Sequence, residues 1–118
     1  MSDDLPPVNL IEEFASKCKL LGDSTRLRIL LILDNQGDVH VAGLCEQLEL
    51  NQPAVSHHLS LLRDAGVVKL RKDGKHNYYS YVRKPFIDVI KRAVRTMSHG
   101  DNVLRHDGLV VRVIDAKK

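Results

Sequence analysis

The sequence predicts a mainly α-helical fold carrying one β-hairpin, with elements in the order α-α-α-α-β-β-α. Three observations predict it. Apolar residues recur at helical spacing from residue 9 to residue 66, the period drops to two across residues 67–82, and helical spacing returns from Pro85.

Residues 1–8, with Pro6 and Pro7, read as a loose lead-in. A helix is expected from Asn9, which stands in the capping position with Glu12 three residues on. Leu10, Ile11, Phe14, Ala15, Cys18 and Leu21 make its apolar stripe, and Gly22 closes it. Asp23 or Ser24 caps a second helix, STRLRILLILDN, which is apolar on most sides from Leu27 to Leu33. A helix that apolar is expected at the centre of a domain. Gly37 and Asp38 end it, and Val39-His40-Val41 reads as a short strand or as extended chain.

Residues 42–66 read as two short helices joined by a tight turn. In the second of these, Val55, Leu59 and Leu62 follow the i, i+4, i+7 spacing of one face, while Asn51 stands as cap and Pro53 fits the first turn. About 100° per residue then puts Gln52, Ser56, His57, Ser60 and Arg63 on or beside the opposite face. Gly66 ends the helix. Residues 67–72 and 77–82 are β-rich and flank Asp73-Gly74-Lys75-His76, whose Asp-Gly is a strong hairpin signal. Lys69, Arg71, Lys72, Lys75 and His76 make this hairpin a basic wing. Pro85 opens a last helix to about Ser98, with Phe86, Val89, Ile90, Ala93, Val94 and Met97 facing inward or towards a partner, and Gly100 stops it. Residues 100–118 read as a tail with a β-like patch at 109–114 and a basic end. The whole order is that of a winged helix-turn-helix, occupying residues 9–99.

Composition narrows the function classes. The 118 residues suit one domain, and 43% hydrophobic with 28% charged residues is ordinary for a soluble globular protein. A net charge of +3 suits an anionic partner. Only 4% aromatic residues and no Trp argue against the stacking platforms that bind single-stranded nucleic acid. Two cysteines are too few for a disulfide framework and point to a reducing compartment. The acidic start, MSDDLPPVNL, lacks a hydrophobic signal region, and the longest apolar run, residues 29–33, falls far short of a membrane span. A cytoplasmic protein without membrane contact is expected. No Ser-His-Asp order, phosphate-cradling Gly loop or His-Glu-x-x-His supports an enzyme.

A short, solvated helix tipped with Gln, Ser, His and Arg suits the major groove of double-stranded DNA. Gln52, Ser56, His57 and Ser60 are the expected groove contacts, since Gln bonds adenine bidentately and Ser and His are adaptable. Arg63, Arg71, Lys72 and Lys75 are expected on phosphates, which raises affinity without selecting sequence. Lys69 reads as a solvated charge, and His58, leaning towards the apolar face, as structural. The competing reading is a winged-helix protein-interaction module without specific DNA binding.

Three stretches, LLGDSTRLRILLIL, NQPAVSHHLSLLRDAGVV and LRKDGKHNYYSY, resemble the ArsR/SmtB family of bacterial metal- and stress-responsive repressors, in the right order over roughly residues 10–98. Ser24 stands where many relatives have Pro, and Glu49 where the turn often has Gly. The resemblance implies a repressor released by an inducer: a metal ion, thiol oxidation or persulfidation, or another effector. It also implies a homodimer through the first and last helices, which Phe14, Cys18 and Leu21 on one and Phe86, Ile90 and Met97 on the other permit. Two recognition helices then meet an inverted repeat about one helical turn apart, roughly 34 Å.

The family's metal sites carry over only in part. Aligned on Cys45, its Cys-x-Cys falls on His40 and Ala42. His40 and Cys45, even with Cys18 added, barely reach the three or four soft donors of a thiolate site. At the last-helix site the matching positions hold Arg83, Pro85 and Thr96, with only His99 retained. His99, Asp101, His106 and Asp107 offer nitrogen and oxygen donors for a harder metal, with a solvated polar tail as the plainer reading. Cys18 and Cys45 lie on other helices than the pair used by thiol-switch relatives. A transition-metal ion at His40, Cys45, Cys18, His99 or His106 stays open, and the inducer is unassigned.

Overall fold

The computed structural model describes residues 7–114. Its elements are α1 (Val8–Leu21), α2 (Ser24–Gln36), β1 (Val39–His40), α3 (Val41–Leu48), α4 (Gln52–Asp64), β2 (Val68–Asp73), β3 (His76–Tyr81), α5 (Lys84–Met97), β4 (Val103–His106) and β5 (Leu109–Arg112). The winged helix-turn-helix order is present, with one short strand added ahead of α3 and a second hairpin after α5. The described residues divide into two compact units: 17–85, and 7–16 with 86–114.

In the first unit, Asp23 rather than Ser24 caps α2, its Oδ1 accepting the N–H groups of Thr25 at 2.8 Å and Arg26 at 3.1 Å. The Arg26 N–H, with that of Thr25 and the charges of His58 and Arg26, holds the Asp23 carboxyl below the usual carboxylate range against a counteracting desolvation. Ile29, Leu30 and Leu33 are buried, whereas Leu27 and Leu31 remain 42% and 66% exposed. The expectation of a helix buried on most sides is thus corrected. Two residues of helix turn the chain about 200°, so Leu27 and Leu31 point away from the face that Ile29 and Leu33 bury.

Leu44 and Leu48 of α3 complete a core with Val55, Leu59 and Leu62 of α4, the last three fully buried. Glu49 ends α3 in the left-handed region at φ 56°, and the Leu50 N–H reaches back to the Cys45 carbonyl at 3.1 Å. This is the tight turn where a glycine is usual; a glutamate adopts it here. Asn51 caps α4, its Oδ1 accepting the Ala54 N–H at 2.9 Å, with Pro53 in the first turn.

Val39-His40 is a strand: β1 pairs antiparallel with β3, giving a three-stranded sheet in the order β1-β3-β2. In the β2–β3 ladder Asp73 still pairs with His76, so the hairpin turns on Gly74-Lys75 rather than on Asp-Gly. Only Gly74 is left-handed there, at φ 62°, which is the requirement of a type II′ turn.

In the second unit, the N–H groups of Leu10 and Ile11 donate to the Pro7 carbonyl at 3.0 and 3.1 Å, so α1 begins at Val8 and Asn9 lies inside it rather than capping it. Leu10 on α1 and Val89, Ala93 and Val94 on α5 are buried, and Arg92 donates to Glu13 at 2.8 Å. Beyond Gly100, β4 and β5 form a hairpin from Val103↔Arg112 to His106↔Leu109, closed by the Val113 N–H on the Asn102 carbonyl at 2.8 Å. The β-like patch read at 109–114 is therefore only the second arm of a hairpin. Its first arm, Val-Leu-Arg-His, is too short for alternation to announce it. Among the described residues no helix is long and apolar enough to cross a membrane.

Candidate nucleic-acid interface

The two faces of α4 separate cleanly. Val55, Leu59 and Leu62 are sealed in the core, while Gln52, Ser56, His57, Ser60 and Arg63 are all exposed. Buried apolar residues on one side leave the polar row no inward alternative, so local periodicity alone orients it outward. His58 is half-buried, and its Nδ1 is enclosed without a hydrogen-bond partner. That sets it apart from the exposed His57, whose ring centroid lies 5.9 Å away.

On the wing, Lys69, Lys72 and Lys75 are exposed. Arg71 is exposed too, but it is held within the protein. Its Nε and terminal nitrogen reach Asp38 Oδ2 at 3.1 and 3.0 Å, and it lies 3.6 Å from Asp73. Its guanidinium carbon sits 4.7 Å above the Tyr78 ring, where a cation gains from the negative ring face. Tyr78 is the register partner of both Arg71 on β2 and His40 on β1, and the His40 ring stacks on it with centroids 5.7 Å apart. An Arg–Tyr–His row thus crosses all three strands. Sequence reasoning missed Asp38 and Tyr78. The antiparallel register, once the turn is set at Gly74-Lys75, was the signal that could have found Tyr78.

The metal-ligand candidates are not brought together. Among the described residues no three His, Cys, Asp or Glu side chains are grouped to hold a metal ion. His40 is engaged with Tyr78 and His76, Cys45 is half-buried on α3, Cys18 is exposed on α1, and His106 lies on β4. Arg83, which stands at a position of the last-helix metal site, is bound to Asp34 and lies over the Tyr81 ring, whose phenol is pushed above its usual range chiefly by burial and then by Asp34.

Residues 23–69, from the cap of α2 into β2, match the family described as bacterial regulatory protein, arsR family. A relative from Methanocaldococcus jannaschii, an uncharacterized HTH-type transcriptional regulator, is 41% identical over 80 residues, covering 68% of this chain and 90% of its own length. The chain belongs to the ArsR family. The arsenical resistance operon repressor of Escherichia coli is 46% identical over 61 residues, and the match covers about half of each chain, 52% in both cases. Among solved structures, an ArsR-like transcriptional regulator from Rhodococcus superposes with a TM-score of 0.72 at 26% identity, over 81% of this chain and 87% of that one. The ArsR assignment makes this a DNA-binding transcriptional regulator. The ArsR family match ends at residue 69, so the wing beyond it stands on its own geometry.

Proposed function

We propose that this ArsR-family chain is a dimeric repressor that reads an inverted-repeat operator in duplex DNA and is released by an effector still to be identified. The observation that carries it is α4: a fully buried Val55, Leu59 and Leu62 row backs an exposed row of Gln52, Ser56, His57 and Ser60. Those four side chains reach base edges in the major groove. Arg63, Lys72 and Lys75 bind phosphates, with Arg71 joining them when its carboxylate partners yield. The Escherichia coli relative is a repressor, of the arsenical resistance operon. The dimer forms through α1 and α5, whose unit bears an apolar groove of about 220 Å³ lined by Leu10, Ile11, Phe14, Ala15, Ala93 and Met97. Residues 9–99 carry both activities, in a reducing compartment where Cys18 and Cys45 stay thiols.

The test selects duplexes from a random pool and compares affinity for the selected site with that for random DNA. A preference of at least about a thousandfold is expected. Ser56→Ala with His57→Ala should erode specific binding more than random-sequence binding. No site bound more tightly than random DNA at moderate salt, together with a stable complex with a protein, would replace this reading by an interaction module.

A further inference from the structure

Two wing-side histidines, His40 on β1 and His76 on β3, stand outside the row proposed for base reading on α4. Between the wing tip and the starts of α3 and α4 lies a cavity of about 190 Å³, lined by His40, Gln52, Lys75, His76 and Asn77 and by the first turn of α3. The lining is rich in donors and contains no carboxylate. Asp38 and Asp73, the acids of this end of the sheet, are both engaged by Arg71.

The His40 ring is held from three sides. It stacks on Tyr78 at 5.7 Å, meets His76 edge-on at 5.6 Å, and lies against α3 at Gly43, where a Cβ would fall 3.1 Å from Nδ1. Lys75 is the second residue of the II′ turn and His76 the first of β3, so the turn delivers both to the same rim. Gln52 is the first residue of α4, at the end of the helix that meets the groove edge. An ammonium, two imidazoles and two amides around a small cavity suit a tetrahedral oxyanion.

We propose that this cavity seats one backbone phosphate of bound duplex DNA, contacted by Lys75, His76 and His40 from the wing side, at the edge where Gln52 opens the reading helix. A single phosphate then fixes the angle between wing and α4, positioning the reader without itself selecting sequence. The inference rests on the proposed DNA-binding function and reassigns His40 from metal donor to phosphate contact.

The test measures affinity against salt concentration for a selected operator and for a random duplex. Wild type is compared with Lys75→Gln, with the double variant His40→Phe/His76→Phe, and with Lys69→Gln as an equal charge change at a solvated position. Phe keeps the ring packing on Tyr78, and thermal melts verify folding. Both seat variants should weaken the two duplexes by the same factor, roughly three- to tenfold at about 0.1 M salt, and Lys75→Gln should flatten the salt slope by about one while Lys69→Gln leaves it in place. Wild-type affinity and slope in the seat variants would overturn the proposal. So would inorganic phosphate that binds wild type below about 1 mM and leaves duplex affinity unchanged, which would make the ligand a free anion. If wild type prefers no duplex, the repressor reading falls alone, because the slopes on random DNA still decide the seat. Absence of any duplex binding overturns both.

Discussion

Arg71 donates through Nε to Asp38 Oδ2 at 3.1 Å while its guanidinium carbon lies 4.7 Å above the Tyr78 ring. A cation expected on DNA is therefore tied, in the free protein, to the residue that leads into β1. Both partners are substantially exposed, so the pair contributes little to stability, within about 1 kcal/mol. Its larger effect is on charge available to a ligand. Asp38→Asn should leave the urea midpoint nearly unchanged and tighten random-duplex binding about two- to threefold at low salt, with a steeper salt dependence. Unchanged affinity would mean that Arg71 does not reach phosphate.

The Asn51 cap separates folding from binding. Its Oδ1 satisfies the Ala54 N–H, so Asn51→Ala should cost about 1 kcal/mol in equilibrium unfolding. Asn51→Asp keeps the acceptor and should remain within about 0.5 kcal/mol of wild type. Yet it places an anion at the end of α4 that meets DNA, and should weaken duplex binding severalfold. If Asp binds like Asn, the start of α4 lies away from phosphate.

What was legible in the sequence was whatever is decided within one helical turn or one strand. The Asn51 cap, the start of α2 at Asp23 or Ser24, the two faces of α4 and the alternation of the wing follow from neighbours one to seven residues apart, although Asn9, read as a cap by the same kind of signal, lies inside α1. The Arg71–Asp38 pair joins residues 33 apart, and the Arg–Tyr–His row needs the register of three strands, so neither shows in local pattern. The exposure of Leu27 and Leu31 escaped for a related reason: apolar content says that a helix prefers burial, not how many faces its neighbours cover. The four-residue arm β4 fell below the length at which alternation carries a signal.

At the wing tip the chain depends on Gly74, left-handed at φ 62° with open space where a Cβ would stand. The cost of a side chain is therefore purely backbone strain. Gly74→Ala should destabilise by about 1 kcal/mol, and Gly74→Asn by less because Asn tolerates this region. Both variants should lose affinity equally on operator and random duplex, since the turn carries Lys75 and no base reader. A selective loss on the operator would place the wing tip in base recognition.

Asp23 gives the protein an acid limit. Its carboxyl is held below the ordinary aspartate range in the folded chain, with the Arg26 N–H as the first cause. A depressed folded value contributes stability that is present above the unfolded value and lost as pH falls through the folded one. Melting temperature should therefore fall as pH drops below about 4. Asp23→Asn, which caps without titrating, should flatten that part of the profile, and an equally steep acid loss in the variant would assign it to other carboxylates.

The apolar groove of the second unit tests the dimer. Ile11 and Met97, which line it, are 45% and 46% exposed, so replacing both by Lys removes little buried area within one chain. Thermal stability of the separated chain should change modestly, whereas sedimentation should shift from two chains to one of 13.3 kDa. Half-site affinity should persist because α4 and the wing are untouched. Affinity for the full inverted repeat should fall by tenfold or more, since each half then binds without the effective concentration that its twin supplies. A variant that stays dimeric would move the interface elsewhere, with exposed Leu27 and Leu31 on α2 as the next surface to alter.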